Sequence, residues 1–553
     1  MFQGVDPWYH MRLAENMIHN FPTALSWEMF ANFPSGHEVG TMPLMSWMIV
    51  SLGYLFSFGQ PSEHMIGTIG AILPPLFGAG TVVLVYFIGR EIASKKVGIL
   101  AAALVAILPT ELMHRTMLGF TDHHAMETFF ASGVLLCLIA AMKRKNLWLP
   151  ILAGISLGFY LQTWWGGLFM VFIIGLWFII DLFIRLARKE DISRLCFVTS
   201  ITGIIAFIVY IPSLGYSTSI ATYLAGILLL IVAPLAMWLL SKYFAWQVIL
   251  GATVAGIGGA IVTISMSGET AFHVRSLFES VFWGWGSTIS EAMPTDPAVA
   301  MGTYGLASIL FLGGLYYFIK HRGDRLFLVF TLVMFFATIG QRKWGYYFTV
   351  PVALMASYFA FQMSGWVKKE LKYVPVGLAV ALMFIPSVAG TVRMTTADLT
   401  LSQGWQDAMM WMRDNTPEPF LSEDAYYNVE VHEAPIYGVR CWWDYGNWVI
   451  YLAHRAPEAT PSYQYVGLIS QFYVAQSEEE AAQYLQEGIR YIIVDRELLE
   501  DKWYAVVDHA EGNTDNSEQI RRDSMALKLW ENRAEGYRLV FWNNEVRILE
   551  VEQ

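Results

Sequence analysis

Four separated stretches of the 553-residue chain carry side chains able to do chemistry together, and a fifth could hold a substrate. Asp6 stands in Val5-Asp6-Pro7-Trp8-Tyr9-His10, ahead of an amphipathic stretch at 11–18, where a lone Asp-Pro reads first as a helix cap. Asp122-His123-His124 follows Arg115. Asp122 and His124 are two apart and share a direction in extended chain but not on a helix. Binding one metal with both therefore requires a loop or a helix start, and a polar turn between two apolar runs is the plain alternative. Glu291 closes Thr288-Ile289-Ser290-Glu291 inside the long loop 267–301, and structureless loops of that length are usually lids or binding segments. Arg342-Lys343 is a basic pair at a helix mouth. Asp6, Asp122 and Glu291 offer hard oxygen ligands suited to Mn²⁺ or Mg²⁺, and His124 is better tolerated by Mn²⁺. Arg115 and the Arg342-Lys343 pair offer cationic contacts for phosphate. Together they suit catalysis on a phosphate-linked lipid. The fifth stretch is Cys441-Trp442-Trp443-Asp444-Tyr445-Gly446-Asn447-Trp448. It reads either as a buried aromatic corner or as a rigid pocket with one carboxylate acceptor for a small hydroxyl.

Apolar runs must position these groups. A membrane-crossing helix needs about 17–25 apolar residues, and twelve runs qualify in outline: 65–88, 97–109, 126–142, 147–162, 167–184, 196–211, 221–240, 246–266, 302–319, 326–339, 346–366 and 374–390. Basic residues follow every second run, among them Arg90, Lys143, Arg185, Lys242, Lys320 and Lys368. Because such residues favour the cytoplasmic side, 1–64, 115–125, 267–301, 340–345 and everything after 390 are expected outside. The apolar stretch 41–58 is then an interfacial or re-entrant segment rather than a thirteenth crossing. A chain that starts outside without a leader is expected to lack one preceding helix.

Composition agrees. The chain is 55% hydrophobic with only 15% charged residues, against about 25% in soluble proteins. The net charge of −11 is uneven: +4 up to residue 390 and −15 from 391 to 553. A polytopic helical membrane domain, 1–390, thus precedes an acidic soluble domain, 391–553. That acidity argues against a nucleic-acid partner. The three cysteines imply no disulfide framework. In the soluble part, 405–413 reads as a helix, Ser477 with Glu480 as a capping box, 491–494 as a buried strand, and 537–542 with 546–551 as a hairpin. The domain is expected to be mixed α/β. A transporter would carry its charges at mid-membrane, whereas these runs are nearly charge-free, with Asp181 the main exception.

Residues 442–446 spell WWDYG, and the chain here resembles the catalytic subunit of archaeal oligosaccharyltransferases, of the AglB type. Thr288–Glu291 is similar to the TIxE word of that family, and Asp6 and Asp122-x-His124 to its two DxD-type motifs. The resemblance implies transfer of a glycan from a dolichyl phosphate or pyrophosphate to the Asn of Asn-X-Ser/Thr in an acceptor polypeptide. It implies a metal held by Asp6, Asp122, His124 and Glu291, with Asp6 and Glu291 catalytic. Arg115, Arg342 and Lys343 would contact lipid phosphate, and aligning on Trp344 puts Lys343 where the family has its Arg. Trp442, Trp443 and Asp444 would bind the sequon hydroxyl. Two departures are expected: the family's first helix would be missing, and its second sequon motif is only approached by Lys502 and Val506, with Leu499 where an Asp belongs. Those residues are left out of the site. The nearest rival is another polyprenyl-phosphate glycosyltransferase, such as a protein O-mannosyltransferase.

Overall fold

The computed structural model describes residues 2–39, 43–216, 220–251, 253–256, 290–371, 373–397, 399–422, 424–431 and 433–552. Most apolar runs form helices at the expected places. Glu63–Ile92, His124–Lys143, Leu168–Ala187, Ser193–Tyr216, Ile220–Leu240 and the helical stretch ending at Thr396 are, among the described residues, the six long and apolar enough to cross a membrane unaided. Trp148–Leu161, Trp246–Gly256 and Arg325–Gly340 are shorter apolar helices. The remainder of the 246–266 run lies outside the described residues. Lys95–Val105 stops ahead of Pro109, since the residue before a proline is pushed out of the helical region. The stretch at 41–58 yields Leu44–Phe56, thirteen residues. At a rise of about 1.5 Å per residue that is about 20 Å, too short for a hydrocarbon core of about 30 Å.

One expected helix is broken. The run 302–319 is split at Gly305, whose φ of +54° ends Pro297–Tyr304 and starts Leu306–Lys320. The two pieces meet at 100°. Only glycine takes that backbone without strain, and the apolar sequence runs straight through the bend.

His124–Lys143 is the central helix. Its spanning window is 72% buried, against 22% for Ile220–Leu240, so the first is packed by protein on nearly every side and the second faces lipid. Close approach relies on small residues. A Cβ on Gly89 would lie 2.6 Å from the Gly98 Cα, so Glu63–Ile92 and Lys95–Val105 touch backbone to backbone.

The helix Val374–Thr396 runs past 390 before the chain enters the C-terminal domain. Near the N-terminus β1 (Trp27–Glu28) pairs antiparallel with β2 (His37–Glu38). The C-terminal domain holds a four-stranded sheet of β3 (Gly438–Arg440), β4 (Ile489–Asp495), β5 (Tyr537–Trp542) and β6 (Val546–Val551), in the order β3-β4-β6-β5. β3 runs parallel to β4, and β4 and β5 run antiparallel to β6. The hairpin occupies the expected residues. The expected helix at 405–413 lies inside Gln403–Asn415, capped by Ser402, and Ser477 caps Glu478–Gln483. Glu480 reaches back to the amide of Gln476 rather than to that of Ser477. Beside β3, Arg440 and Glu458 form a fully buried bidentate pair at 2.6 Å.

The two parts are tied together by residues before 64. Asn32, fully buried with φ of +53°, donates to Ser462 Oγ at 2.7 Å and Gln464 Oε1 at 3.0 Å, and accepts from Thr460 Oγ1 at 2.9 Å. The N-terminal helix, Asp6–Asn20, adds a hydrogen bond from Tyr426 to Glu15 at 3.0 Å and the Trp8–Tyr451 ring contact.

Candidate active site

Asp6 is the first residue of its helix, with Pro7 behind it. It does not cap that helix: Val5 occupies the cap position and no side-chain capping bond forms. The carboxylate opens instead into a cavity of about 370 Å³. The same cavity is lined by Asp122, His123 and His124, by Glu291 and Lys343, and by Asn447, Thr460 and Ser462 of the C-terminal domain. Groups more than four hundred residues apart in the chain therefore share one opening between the two domains.

Asp122 and His124 stand where His124–Lys143 begins, the helix start their spacing demanded. Asp122 is 1% exposed. Its Oδ1 lies 3.2 Å from His10 Nε2 and accepts from the His123 amide at 2.6 Å, and its Oδ2 is 3.3 Å from His124 Nε2. Burial raises its pKa, but the facing histidines and these hydrogen bonds outweigh that and hold it well below the usual carboxylate range. His123 is pushed the other way, up to about 10: burial opposes its charge, and Asp122 overrides the burial.

Glu291 lies in a single turn, Ser290–Ala292. Thr288 and Ile289 lie outside the described residues. Arg115 donates to Glu291 Oε2 at 2.6 Å, stands 3.9 Å from Asp122, and is 4% exposed. Burial disfavours the Glu291 charge, but Arg115 more than offsets it and the carboxyl stays ionised below its ordinary range. Asp6 makes no ion pair among the described residues, and Arg115 and His123 favour its charge only weakly. Burial, then repulsion from Asp122 and Glu291, pushes it up to about 7. Asp6 is exposed and lines the cavity.

The basic pair divides. Arg342 turns away, its amide donating to Met293 O at 2.9 Å and its Nε to Pro294 O at 3.3 Å. It braces the segment that follows Glu291. Lys343 lines the cavity, and burial lowers its pKa.

The WWDYG word leaves β3 at its carboxyl end. Trp443–Tyr445 forms a single turn that leads into Gly446–Tyr451. Trp442 is 1% exposed and packs into the core. Trp443 is half-buried, its ring lies tilted against Tyr463 with centroids 4.5 Å apart, and its indole N–H finds no acceptor among the described residues. Tyr445 donates to Asp495 at the end of β4 at 3.0 Å, which fixes the turn. A Cβ on Gly446 would run into the Ala459 carbonyl. Asp444 meets Lys502 Nζ at 2.8 Å, and that ammonium sits 4.3 Å above the Tyr445 ring. Lys502 thus belongs beside Asp444 despite its imperfect motif. Tyr463, packed against Trp443, is within electrostatic reach of Asp444, Glu291 and Asp6.

Three residues that sequence reasoning passed over stand among these groups. His10 and His123 surround Asp122, within metal-ligating reach of it and of each other. Glu127, fully buried, accepts from Tyr346 at 2.9 Å and Tyr347 at 2.7 Å and lies 3.1 Å from His124 Nδ1. Its spacing, three beyond His124 on a helix, was the available signal.

Comparison with known proteins agrees with this arrangement. The family model described as oligosaccharyl transferase STT3, N-terminal, matches residues 1–401, and the AglB core domain model matches 402–499. The chain is 27% identical to dolichyl-phosphooligosaccharide-protein glycotransferase 3 of Archaeoglobus fulgidus, over 92% of this chain and 67% of that one. It superposes on the AglB oligosaccharyltransferase of Archaeoglobus fulgidus, solved with an inhibitory peptide and a dolichol-phosphate, with a TM-score of 0.81 at 24% identity, covering 94% of this chain and 68% of that one. A solved structure of an Archaeoglobus fulgidus oligosaccharyltransferase in complex with Zn and sulfate gives 0.77 at 23% identity, covering 98% and 75%. The chain spans about two thirds of the first two of these relatives. At such identity the solved structures speak to the fold, and the family follows from the model that covers well over half of the sequence: the chain belongs to the oligosaccharyl transferase STT3 family.

Proposed function

We propose that this chain is a glycosyltransferase that moves a glycan from a dolichyl phosphate or pyrophosphate carrier to the asparagine of Asn-X-Ser/Thr. Its helical part crosses the membrane about twelve times, with the cavity and the C-terminal domain on the outer face. One observation carries the reading: Asp6, Asp122 and Glu291 line a single cavity that the C-terminal domain closes beside WWDYG.

The donor set fits a divalent cation. Three carboxylates line this one cavity, and Asp122 has ligand atoms of His10 and His123 within 4.8 Å, while Asp6 and Glu291 stand outside that close group and would draw in around an ion. Among the described residues Asp122 Oδ2 is buried without a hydrogen bond. The mutual repulsion that pushes Asp6 to about 7 is what a dication would relieve. Asp6, Asp122, Glu291 and His124 would hold it, as Mn²⁺ or Mg²⁺. When bound, the ion stabilises charge building on the departing phosphate. Glu127, by holding His124 Nδ1, leaves Nε2 directed at the ligand set.

The acceptor nitrogen is an amide, and a carboxylate of ordinary pKa about 4 cannot deprotonate it. Asp6 and Glu291 accept hydrogen bonds from its N–H groups and fix it for attack, which inverts the anomeric carbon. Lys343 faces the lipid phosphate from the cavity wall, with Arg115 set behind Asp122 and Glu291, while Arg342 holds the Glu291 segment in place. Asp444, with Trp443 beside it, accepts the hydroxyl of the sequon Ser or Thr.

The decisive assay incubates purified protein with lipid-linked oligosaccharide and a fluorescent sequon peptide, with and without Mn²⁺. Product on the asparagine peptide supports the reading. Product only on a Ser/Thr peptide lacking asparagine would replace it with an O-glycosyltransferase. Two further outcomes are expected. Chelation abolishes transfer and added Mn²⁺ restores it. Asp6 of the ion-free chain titrates near 7, so below that pH the ion must displace a proton. Its apparent affinity should therefore weaken by up to about tenfold per pH unit as the pH falls, and level off above 7. Glu127→Gln presents an amide to several donors at once and should weaken Mn²⁺ binding by about 10–100-fold. Calorimetric titration checks both, and affinity unchanged in the variant would remove Glu127 from the site.

A further inference from the structure

The helix that starts at His124 in the catalytic cavity ends at Lys143, about 28 Å away at ~1.5 Å per residue, and there it borders a second cavity of about 460 Å³. Arg325–Gly340 runs the opposite way: Arg325 lies in this second cavity, and the far end leads to Arg342 and Lys343. The two cavities thus lie at opposite ends of the same helices, a hydrocarbon thickness apart.

The second cavity has two unlike walls. One is apolar: Ile139, Met142, Trp177, Phe318 and Leu326. The other carries Lys143, Arg185, Arg322 and Arg325 against two carboxylates, Asp181 and Asp324. Both carboxylates are already engaged. Asp181, 3% exposed, takes Arg185 Nε at 2.8 Å and an ion pair from Arg325. Asp324 caps its own helix through the Phe327 amide at 3.1 Å. Asp181 therefore holds two guanidinium groups and Asp324 serves its own helix, and with two acids against four cations a surplus of two positive charges remains. Among the described residues Lys143 makes one hydrogen bond, to the Glu91 carbonyl. Arg322 makes no ion pair among the described residues. It projects from the tight turn His321-Arg322-Gly323, where φ at Arg322 is +54° and a Cβ on Gly323 would meet the Phe318 ring.

Surplus cations beside an apolar wall between spanning helices match an amphiphile with a phosphate head and a hydrocarbon tail. We propose that this cavity binds one anionic membrane phospholipid. The phosphate sits among Lys143, Arg322 and Arg325, and the chain lies along Ile139, Trp177 and Phe318. Binding ties the ends of the Glu63–Ile92, His124–Lys143, Leu168–Ala187 and Arg325–Gly340 helices together and stabilises the folded state by mass action. The site is separate from the carrier-phosphate contacts, and it rests on the membrane reading but not on the transfer reaction.

The test is native mass spectrometry of the full chain released from detergent, with phosphatidylglycerol and phosphatidylcholine as probes. Retention of one phosphatidylglycerol, preferred over phosphatidylcholine by on the order of tenfold, is expected, with loss of that preference in a Lys143→Glu/Arg322→Glu double variant. Phosphatidylglycerol, and not phosphatidylcholine, should also raise the thermal midpoint of the wild-type chain, a readout independent of whether the variant folds. Equal retention of the two lipids, an unchanged preference in the folded double variant, or displacement by millimolar inorganic phosphate would each overturn the proposal. Glycan transfer by the double variant in detergent should match wild type, which separates failure here from failure of the catalytic reading.

Discussion

Asp6→Asn is expected to lower glycan transfer by about 10²–10³-fold, the range seen when one preorganised electrostatic contact to a transition state is removed, while the chain folds normally. The structure separates the two effects. Asp6 donates nothing to its helix, because the cap position is Val5 and no capping bond involves the side chain. Its carboxyl is buried on one side, repelled by Asp122 and Glu291, and shifted up to about 7. A side chain in that condition destabilises the ion-free fold, so the neutral amide should leave the thermal midpoint unchanged or raise it, as at other sites where function is kept at the expense of stability. Transfer kinetics and thermal unfolding on the same preparation check the claim. Transfer near wild type would show that Asp6 does no chemistry, and loss of transfer with a lower midpoint would point to folding instead. Glu291→Gln is a harsher change, because it also breaks the 2.6 Å pair with Arg115.

The second large effect concerns the acceptor. Asp444→Ala should reduce kcat/KM for a Thr-sequon peptide by on the order of 10²-fold, with lipid-carrier binding unchanged. A pocket built to bond a hydroxyl discriminates strongly because a mismatch leaves a buried polar group unpaired. Asp444 is held ready by Lys502 at 2.8 Å, its turn is fixed by Tyr445 on Asp495, and Gly446 lets the Ala459 carbonyl approach. Removing the carboxylate also frees the Lys502 ammonium, so Lys502→Met should cost less than Asp444→Ala. Peptide kinetics beside a carrier-binding measurement distinguish the outcomes; an equal loss of carrier binding would contradict the assignment.

The difference between what could and could not be read in the sequence is physical. The hairpin Tyr537–Trp542 and Val546–Val551 was legible because strand residues flank an Asn-Asn turn. Asp122 and His124 were legible as a pair because two-residue spacing admits few geometries. The bend at Gly305 was hidden, since an apolar run looks the same whether straight or broken and only the positive φ marks the break. Glu127 was hidden because a carboxylate within an apolar run is indistinct until Tyr346, Tyr347 and His124 arrive from elsewhere in the fold. Arg342 and Lys343 are adjacent, so spacing could not tell which faces the cavity; a single turn sends one to Pro294 and the other inward. Lys502 was set aside because Leu499 broke its motif, yet its contact with Asp444 does not require an Asp at that position.

The account stands on distant carboxylates converging to hold one ion. Manganese titration followed by electron paramagnetic resonance measures that convergence directly, without carrier or peptide. One Mn²⁺ per chain is predicted for the wild-type protein, with binding weakened by at least about tenfold in each of Asp6→Asn, Asp122→Asn and Glu291→Gln. Binding that survives all three substitutions, or that responds to Asp122 alone, would contradict it.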